Sequence, residues 1–293
     1  MQTKVTLANG LRFAFLEDGP AEGPLVLMLH GFPDNAMSWE RQMPVLAAAG
    51  YRVVAPWLRG YPPTEIPANG YYDRATLVQD VAALIDSLND GEACFLVGQD
   101  WGAAIGYGVL AAFPAQVRRA MLLAVPHPAE VRRTLRRSPK HALRSFHWFL
   151  FQLPVIPELL CRANNYAFLE TLWKLWSAAY DDRAHVAGIR ADMATPGALT
   201  ASLAYYRAMF GTGNADPALS DVRNRLDRAI PVPTRVLCGG SDMRKEMLEG
   251  QRRWFTGPYE WGTIDGAGHF LHREQPEAVN REILQWFGRE KTR

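Results

Sequence analysis

The feature that most constrains this chain is the pentapeptide Gly98-Gln99-Asp100-Trp101-Gly102 and what stands on either side of it. The run Ala93-Cys94-Phe95-Leu96-Val97 before it is apolar and strand-like, and a helical pattern begins near Trp101. Strand, glycine-flanked turn and helix together make a nucleophile elbow, here with aspartate where the G-x-S-x-G form has serine. The exchange narrows the chemistry. Serine must lose a proton before it attacks, whereas an aspartate is already ionised at neutral pH. It can attack an sp³ carbon directly and leave an alkyl ester on the protein. A histidine is then free to activate water against that ester. Epoxides and alkyl halides suit this arrangement. The same five residues also read as a tight βα turn with a helix-capping aspartate, so the rest of the chain has to decide.

The order of elements supports the elbow. Residues 4–7 and 11–16 flank Asn9-Gly10, a hairpin signal. Residues 25–29 are a continuous apolar run, as in a strand buried on both faces. Further strands read at 52–55, 93–97 and 120–124, with helices over 76–88 and from Trp101 to about residue 113. This alternation predicts an α/β fold with a mostly parallel central sheet. At Pro126-His127-Pro128 the pattern changes, and residues 129–228 read as helical and rich in aromatics. Alternation resumes with a strand at 233–238, a helix near 245–255, a strand at 259–263 and a helix from Pro276. The expected division is a first core part, 1–128, an inserted helical cap, 129–228, and a second core part, 229–293.

Charge and cysteine usage exclude several partners. A net charge of +2 implies no acidic partner. The basic side chains at 132, 133, 136, 137, 140 and 144 recur near one helical turn and read as a solvated helix face. No aromatic platform or nucleic-acid motif accompanies them, so no nucleic acid is expected. The cysteines are Cys94, Cys161 and Cys238, an odd count without metal spacing. That argues against a disulfide framework and for a reducing cytoplasm. The first residues lack the apolar core of a signal peptide, and no apolar run approaches the ~18 residues of a membrane span. A soluble cytoplasmic protein without a membrane partner is expected, with a homodimer left open.

Three further segments fit the elbow. His30-Gly31-Phe32-Pro33 follows the buried run at 25–29, and the backbone N–H groups of Phe32 and Trp101 can form an oxyanion hole. There the hole would act when water attacks the ester carbonyl; the plainer reading is a proline-constrained turn. Gly266-Ala267-Gly268-His269-Phe270 follows the last strand, and His269, with a pKa near working pH, suits the general base. A loop histidine can also be no more than a surface residue. Cys238-Gly239-Gly240-Ser241-Asp242 ends the strand after the insertion, and Asp242 can accept the N–H of the base and hold its tautomer. The competing reading of Asp242 is an Asx-type turn or cap, in which case Glu130 is the fallback acid.

These segments, with Trp39 and Arg59-Gly60-Tyr61, resemble the α/β-hydrolase superfamily over nearly the whole chain. Within it the chain most resembles the epoxide hydrolase and haloalkane dehalogenase branch, and epoxide hydrolases above all. The resemblance implies an α/β-hydrolase fold, a helical cap in place of the insertion, and no cofactor or metal. It also implies a pair of cap acids, usually two tyrosines, that bond the epoxide oxygen. Leu203-Ala204-Tyr205-Tyr206-Arg207 resembles the region of the second tyrosine, and Tyr206 matches the acid. Ser145-Phe146-His147-Trp148 resembles the region of the first, where His147 stands in place of tyrosine.

The reading that results is an epoxide hydrolase acting on a small apolar epoxide and water. Asp100 is the nucleophile, His269 and Asp242 the water-activating pair, Tyr206 and His147 the leaving-oxygen donors. Trp101, Trp148 and Phe32 contact the substrate. The alternative is a haloalkane or haloacid-type dehalogenase using the same aspartate. The His-Trp-plus-Tyr set also resembles the halide pocket of fluoroacetate dehalogenases. Those enzymes hold the substrate carboxylate with arginines beside the nucleophile, and here those places are Trp101 and Ala104. A rival of another class is a noncatalytic ligand-binding protein, in which His147, Trp148 and Tyr206 merely pack the cap.

Overall fold

A computed structural model describes residues 1–179 and 182–288. Residues 289–293 of the expected second core part lie outside the described residues. The chain opens on a hairpin of β1 (Gln2–Ala8) and β2 (Leu11–Asp18). Asn9 and Gly10 between them both have positive φ, which is what a two-residue turn of this kind requires. Then come the fully buried β3 (Leu25–Leu29), α1 (Met43–Ala48), β4 (Arg52–Pro56) and α2 (Arg74–Asn89). They are followed by the fully buried β5 (Cys94–Gln99), α3 (Trp101–Ala112) and β6 (Val117–Leu123).

Helices alone follow among the described residues until the next strand. They are α4 (Pro128–Leu135), α5 (Pro139–Arg144), α6 (Phe146–Leu150), α7 (Ile156–Trp176), α8 (Arg183–Ala194), α9 (Ala198–Met209) and the short α10 (Ser220–Arg223). α7 is broken at residues 163–166, where the backbone leaves helical φ/ψ. The chain ends with β7 (Thr234–Gly239), α11 (Lys245–Glu249), β8 (Tyr259–Ile264), α12 (Leu271–Glu274) and α13 (Pro276–Gly288). α11 is shorter than its sequence pattern predicts, because Gly250 caps it and a tighter 3₁₀ turn takes over from there. None of the described helices is long and apolar enough to cross a membrane.

The strands form one sheet in the order β1-β2-β4-β3-β5-β6-β7-β8. Only the β1–β2 and β2–β4 pairs are antiparallel. The order reverses between β3 and β5, which makes their C-terminal ends the switch point where open α/β sheets bind ligands. In register, Leu29 lies opposite Gly98, so the loops after these two strands emerge side by side.

The helical segment is fastened to the core around this point. The Trp173 indole N–H donates to the Pro33 carbonyl at 2.8 Å and the Tyr205 hydroxyl to that of Arg59 at 2.7 Å. Asn35 donates to Asp192 at 2.6 Å, and His185 meets Asp34 at 2.7 Å. Burial would raise the Asp34 carboxyl, but His185 and the neighbouring cations hold it down at about 2.

Candidate active site

Asp100 sits where β5 gives way to α3, at φ 50° and ψ −115°. A non-glycine residue there stores strain of about 1–3 kcal/mol, which persists only where the surroundings over-determine it. Two glycines do so. A Cβ on Gly102 would stand 2.1 Å from the Leu29 carbonyl oxygen, and one on Gly31 would stand 2.3 Å from Asp100 Cβ. Without side chains at these places, the loop after β3 closes on the elbow, and the Phe32 N–H donates to Asp100 Oδ1 at 2.9 Å. The other expected donor, the Trp101 N–H, begins α3 and is one of the four amides a helix leaves without an intrahelical acceptor.

His269, five residues past the end of β8, brings Nε2 to 3.3 Å from Asp100 Oδ2. The contact falls short of a well-formed hydrogen bond. On the other side of the ring, Nδ1 lies 3.1 Å from Asp242 Oδ2. The sequence-predicted nucleophile, base and acid are thus within contact of one another, all three nearly or fully buried. Burial alone would raise the Asp100 carboxyl. His269, the charge of Arg244 and the Phe32 amide reverse this and hold it below the usual range. Burial and Arg244 both push His269 down, but its two carboxylate contacts outweigh them and raise it.

Arg244 was not foreseen. It is 2 % exposed, its backbone N–H donates to Asp242 Oδ1 at 2.7 Å, and its Nη1 is 3.0 Å from His269 Nδ1. The guanidinium carbon lies 5.8 Å from the rings of both Trp148 and Trp176, a cation–π distance. Nδ1 of a neutral imidazole offers either a hydrogen or a lone pair. With the hydrogen it serves Asp242 and leaves the Nε2 lone pair facing Asp100. With the lone pair it serves Arg244, and the hydrogen moves to Nε2. Asp242 and Arg244 therefore compete for the tautomer of His269.

The loop of His269 is also tied down by residues outside the motifs. The His269 N–H donates to the Trp176 carbonyl at 2.8 Å. Gln99 donates to the His269 carbonyl at 3.2 Å. The Glu274 carboxylate collects the amides of Gly268, Phe270 and Ala178. Glu130, the fallback acid, is committed to Arg133 at 2.9 Å and to the Trp254 indole at 3.0 Å. It is not available to His269.

From the helical segment, Tyr206 packs edge-on against Phe32 at 5.3 Å and Trp101 at 5.2 Å between ring centroids. Burial and the Asp100 charge push its hydroxyl well above the ordinary tyrosine range, so it carries its proton. His147 is wholly buried, with its ring 5.9 Å from that of Tyr206 and both nitrogens without a hydrogen-bond partner. Burial and the Arg244 charge hold it well below the usual value. It is a neutral imidazole with one unanswered N–H. A cavity of about 360 Å³ opens onto Asp100, Trp101, Trp148 and Tyr206, and its remaining wall is mostly apolar. The ring of Phe32 is not among the lining groups; it packs behind Tyr206, against Phe151. Phe32 thus offers the site its amide.

The chain matches the alpha/beta hydrolase family over residues 26–282. It is 31 % identical to the AB hydrolase superfamily protein YfhM of Bacillus subtilis over 283 residues, covering 95 % of each chain. It is 29 % identical to Epoxide hydrolase 4 of Homo sapiens over 294 residues, 97 % of this chain and 78 % of that one. Among solved structures, an epoxide hydrolase from Vigna radiata aligns with a TM-score of 0.81 at 28 % identity over 98 % of each chain. Epoxide Hydrolase A from Mycobacterium thermoresistibile aligns with a TM-score of 0.81 at 25 % identity over 97 % of each.

Proposed function

Because this chain belongs to the alpha/beta hydrolase family, we propose that it is an epoxide hydrolase working through an ester on Asp100. The observation that carries the reading is the division of the Asp100 carboxylate. Oδ1 is held by the Phe32 amide and Oδ2 faces His269, beside a cavity walled in part by a protonated tyrosine. Oδ2 is the freer oxygen and attacks an epoxide carbon as its C–O bond breaks. The leaving oxygen takes a hydrogen bond or proton from Tyr206, with the neutral N–H of His147 beside it. The helical stretch 129–228, which supplies both donors, serves as the cap.

Alkylation removes the charge of Asp100, and with it one of the two contacts that raise the pKa of His269. The imidazole becomes a freer base at the step that needs one. It takes a proton from water, and the hydroxide attacks Cγ of the ester. Oδ1, already on the Phe32 amide, becomes the oxyanion, with the Trp101 amide as second donor. Collapse expels the diol and returns a carboxylate that now contains one oxygen from water. Relatives named epoxide hydrolases support the reaction class. Three buried free thiols are in keeping with a reducing cytoplasm as the compartment.

One turnover of a terminal epoxide in oxygen-18 water, with enzyme in excess, tests the reading. The label is expected in the peptide that contains Asp100 and not in the first diol. Label in the diol alone means that water attacks the substrate directly, and it removes the covalent mechanism.

A further inference from the structure

The arginines that read in sequence as a solvated helix face also look inward. Arg132 of α4 and Arg136 at its end line the same cavity as Asp100, and so does Arg74, the first residue of α2. One acid answers them. Asp227 accepts from Arg74 Nη1 at 3.3 Å and from Arg132 Nη2 at 2.5 Å. Arg136 has no carboxylate partner among the described residues. Three cations against one carboxylate leave this part of the cavity positively charged.

Arg74 is the least satisfied of the three. Its Nε and Nη2 are buried without a hydrogen-bond partner. It is the first residue of a 16-residue helix whose N-terminus is capped by Asp73. Burial and the neighbouring charge of Arg132 lower its pKa in spite of Asp227. Cation and nucleophile line one cavity, with Val125, Pro128, Leu135 and Met209 contributing apolar wall. A neutral apolar ligand leaves these guanidinium N–H groups unanswered. A carboxylate accepts two of them at once, in a charge-assisted pair.

We propose that the cavity selects epoxides that also carry a carboxylate. The oxirane lies at Asp100, an apolar chain or ring lies against the wall, and the carboxylate meets Arg74, with Arg132 and Arg136 adding to the positive field. This rests on the epoxide hydrolase reading above. The test compares kcat/KM for a terminal epoxide bearing a distal carboxylate with that for its primary amide. The wild type favours the acid by about 10- to 100-fold, mainly through KM. Arg74→Gln brings the ratio close to one. Arg136→Gln, at an exposed position, lowers it by less. A wild-type ratio of one overturns the proposal, as does an unchanged ratio in an Arg74→Gln protein that keeps its Tm. Calorimetry with a phenylalkanoate and the matching alcohol reads the subsite without turnover. If neither epoxide reacts, yet the acid binds more tightly than the alcohol and Arg74→Gln abolishes the difference, the reaction was misassigned and the subsite stands. Equal binding of acid and alcohol overturns the subsite itself.

Discussion

The core half of the site and the helical half hold their side chains by different means. Asp100, Asp242 and His269 stand at the ends of strands and are fixed by charge and by amide hydrogen bonds within about 3 Å of each other. Tyr206 and His147 stand on helices and are fixed by aromatic edges, with both nitrogens of His147 unpartnered. The contrast fits the two tasks proposed for them. Activating water needs a defined proton path between fixed groups. Receiving a leaving oxygen needs donors that are kept free until that oxygen arrives, because a donor already engaged has a bond to lose.

The sharpest way to break this division is His269→Gln. Turnover should fall on the order of 10⁴- to 10⁶-fold, yet an ionised Asp100 needs no base to attack. The ester should therefore accumulate and appear as an added mass on the intact protein. A folded, inactive variant with no adduct under excess substrate would show that alkylation too depends on His269, and would break the division between the two steps.

Next in size are the donors. Tyr206→Phe should slow ring opening by about 10²–10³-fold, the usual effect of losing one oxyanion donor. His147→Ala should add to it in the double variant. Pre-steady-state alkylation is the measurement. Losses that merely follow the melting temperature would make both residues packing. Alkylation at the wild-type rate in Tyr206→Phe, with halide release from haloalkanes, would turn the assignment to a dehalogenase.

The smallest effect probes Arg244. The base works unprotonated, so the rate rises with pH through the pKa of His269, and the Arg244 charge lowers that pKa. Arg244→Met should move this limb of the kcat profile to higher pH. A limb that stays in place would leave Arg244 a packing residue between Trp148 and Trp176.

What could be read from the chain divides along the same line. The alternation of strands and helices and the glycine-rich βα loops are local signals, and they marked Asp100, His269 and Asp242 because each lies within a few residues of a strand end. Arg244 carries no such mark. It is one arginine among many, two residues past Asp242, and only burial beside His269 singles it out. Glu274 and Gln99 act through contacts with a loop distant in sequence or through an unremarkable amide, so no pattern exposes them. In the insertion, the break in α7 at residues 163–166 has no glycine or proline to announce it. The inward aspect of Arg132 follows from Asp227, which holds it together with Arg74 of α2, and periodicity alone does not give that.

The hydrogen bond from the His269 amide to the Trp176 carbonyl bears on how the molecule breathes. A roof that lifted along that seam would drag the base out of line each time a ligand entered or left. Traffic is better served by the border formed by α4 and α5, where Leu143 lies exposed and a tie to the core is a side chain, Arg144 on the Met243 carbonyl, rather than the backbone of His269. Admission and release can then proceed without disturbing the base, and the gatekeeping of the pocket can drift in evolution independently of its chemistry.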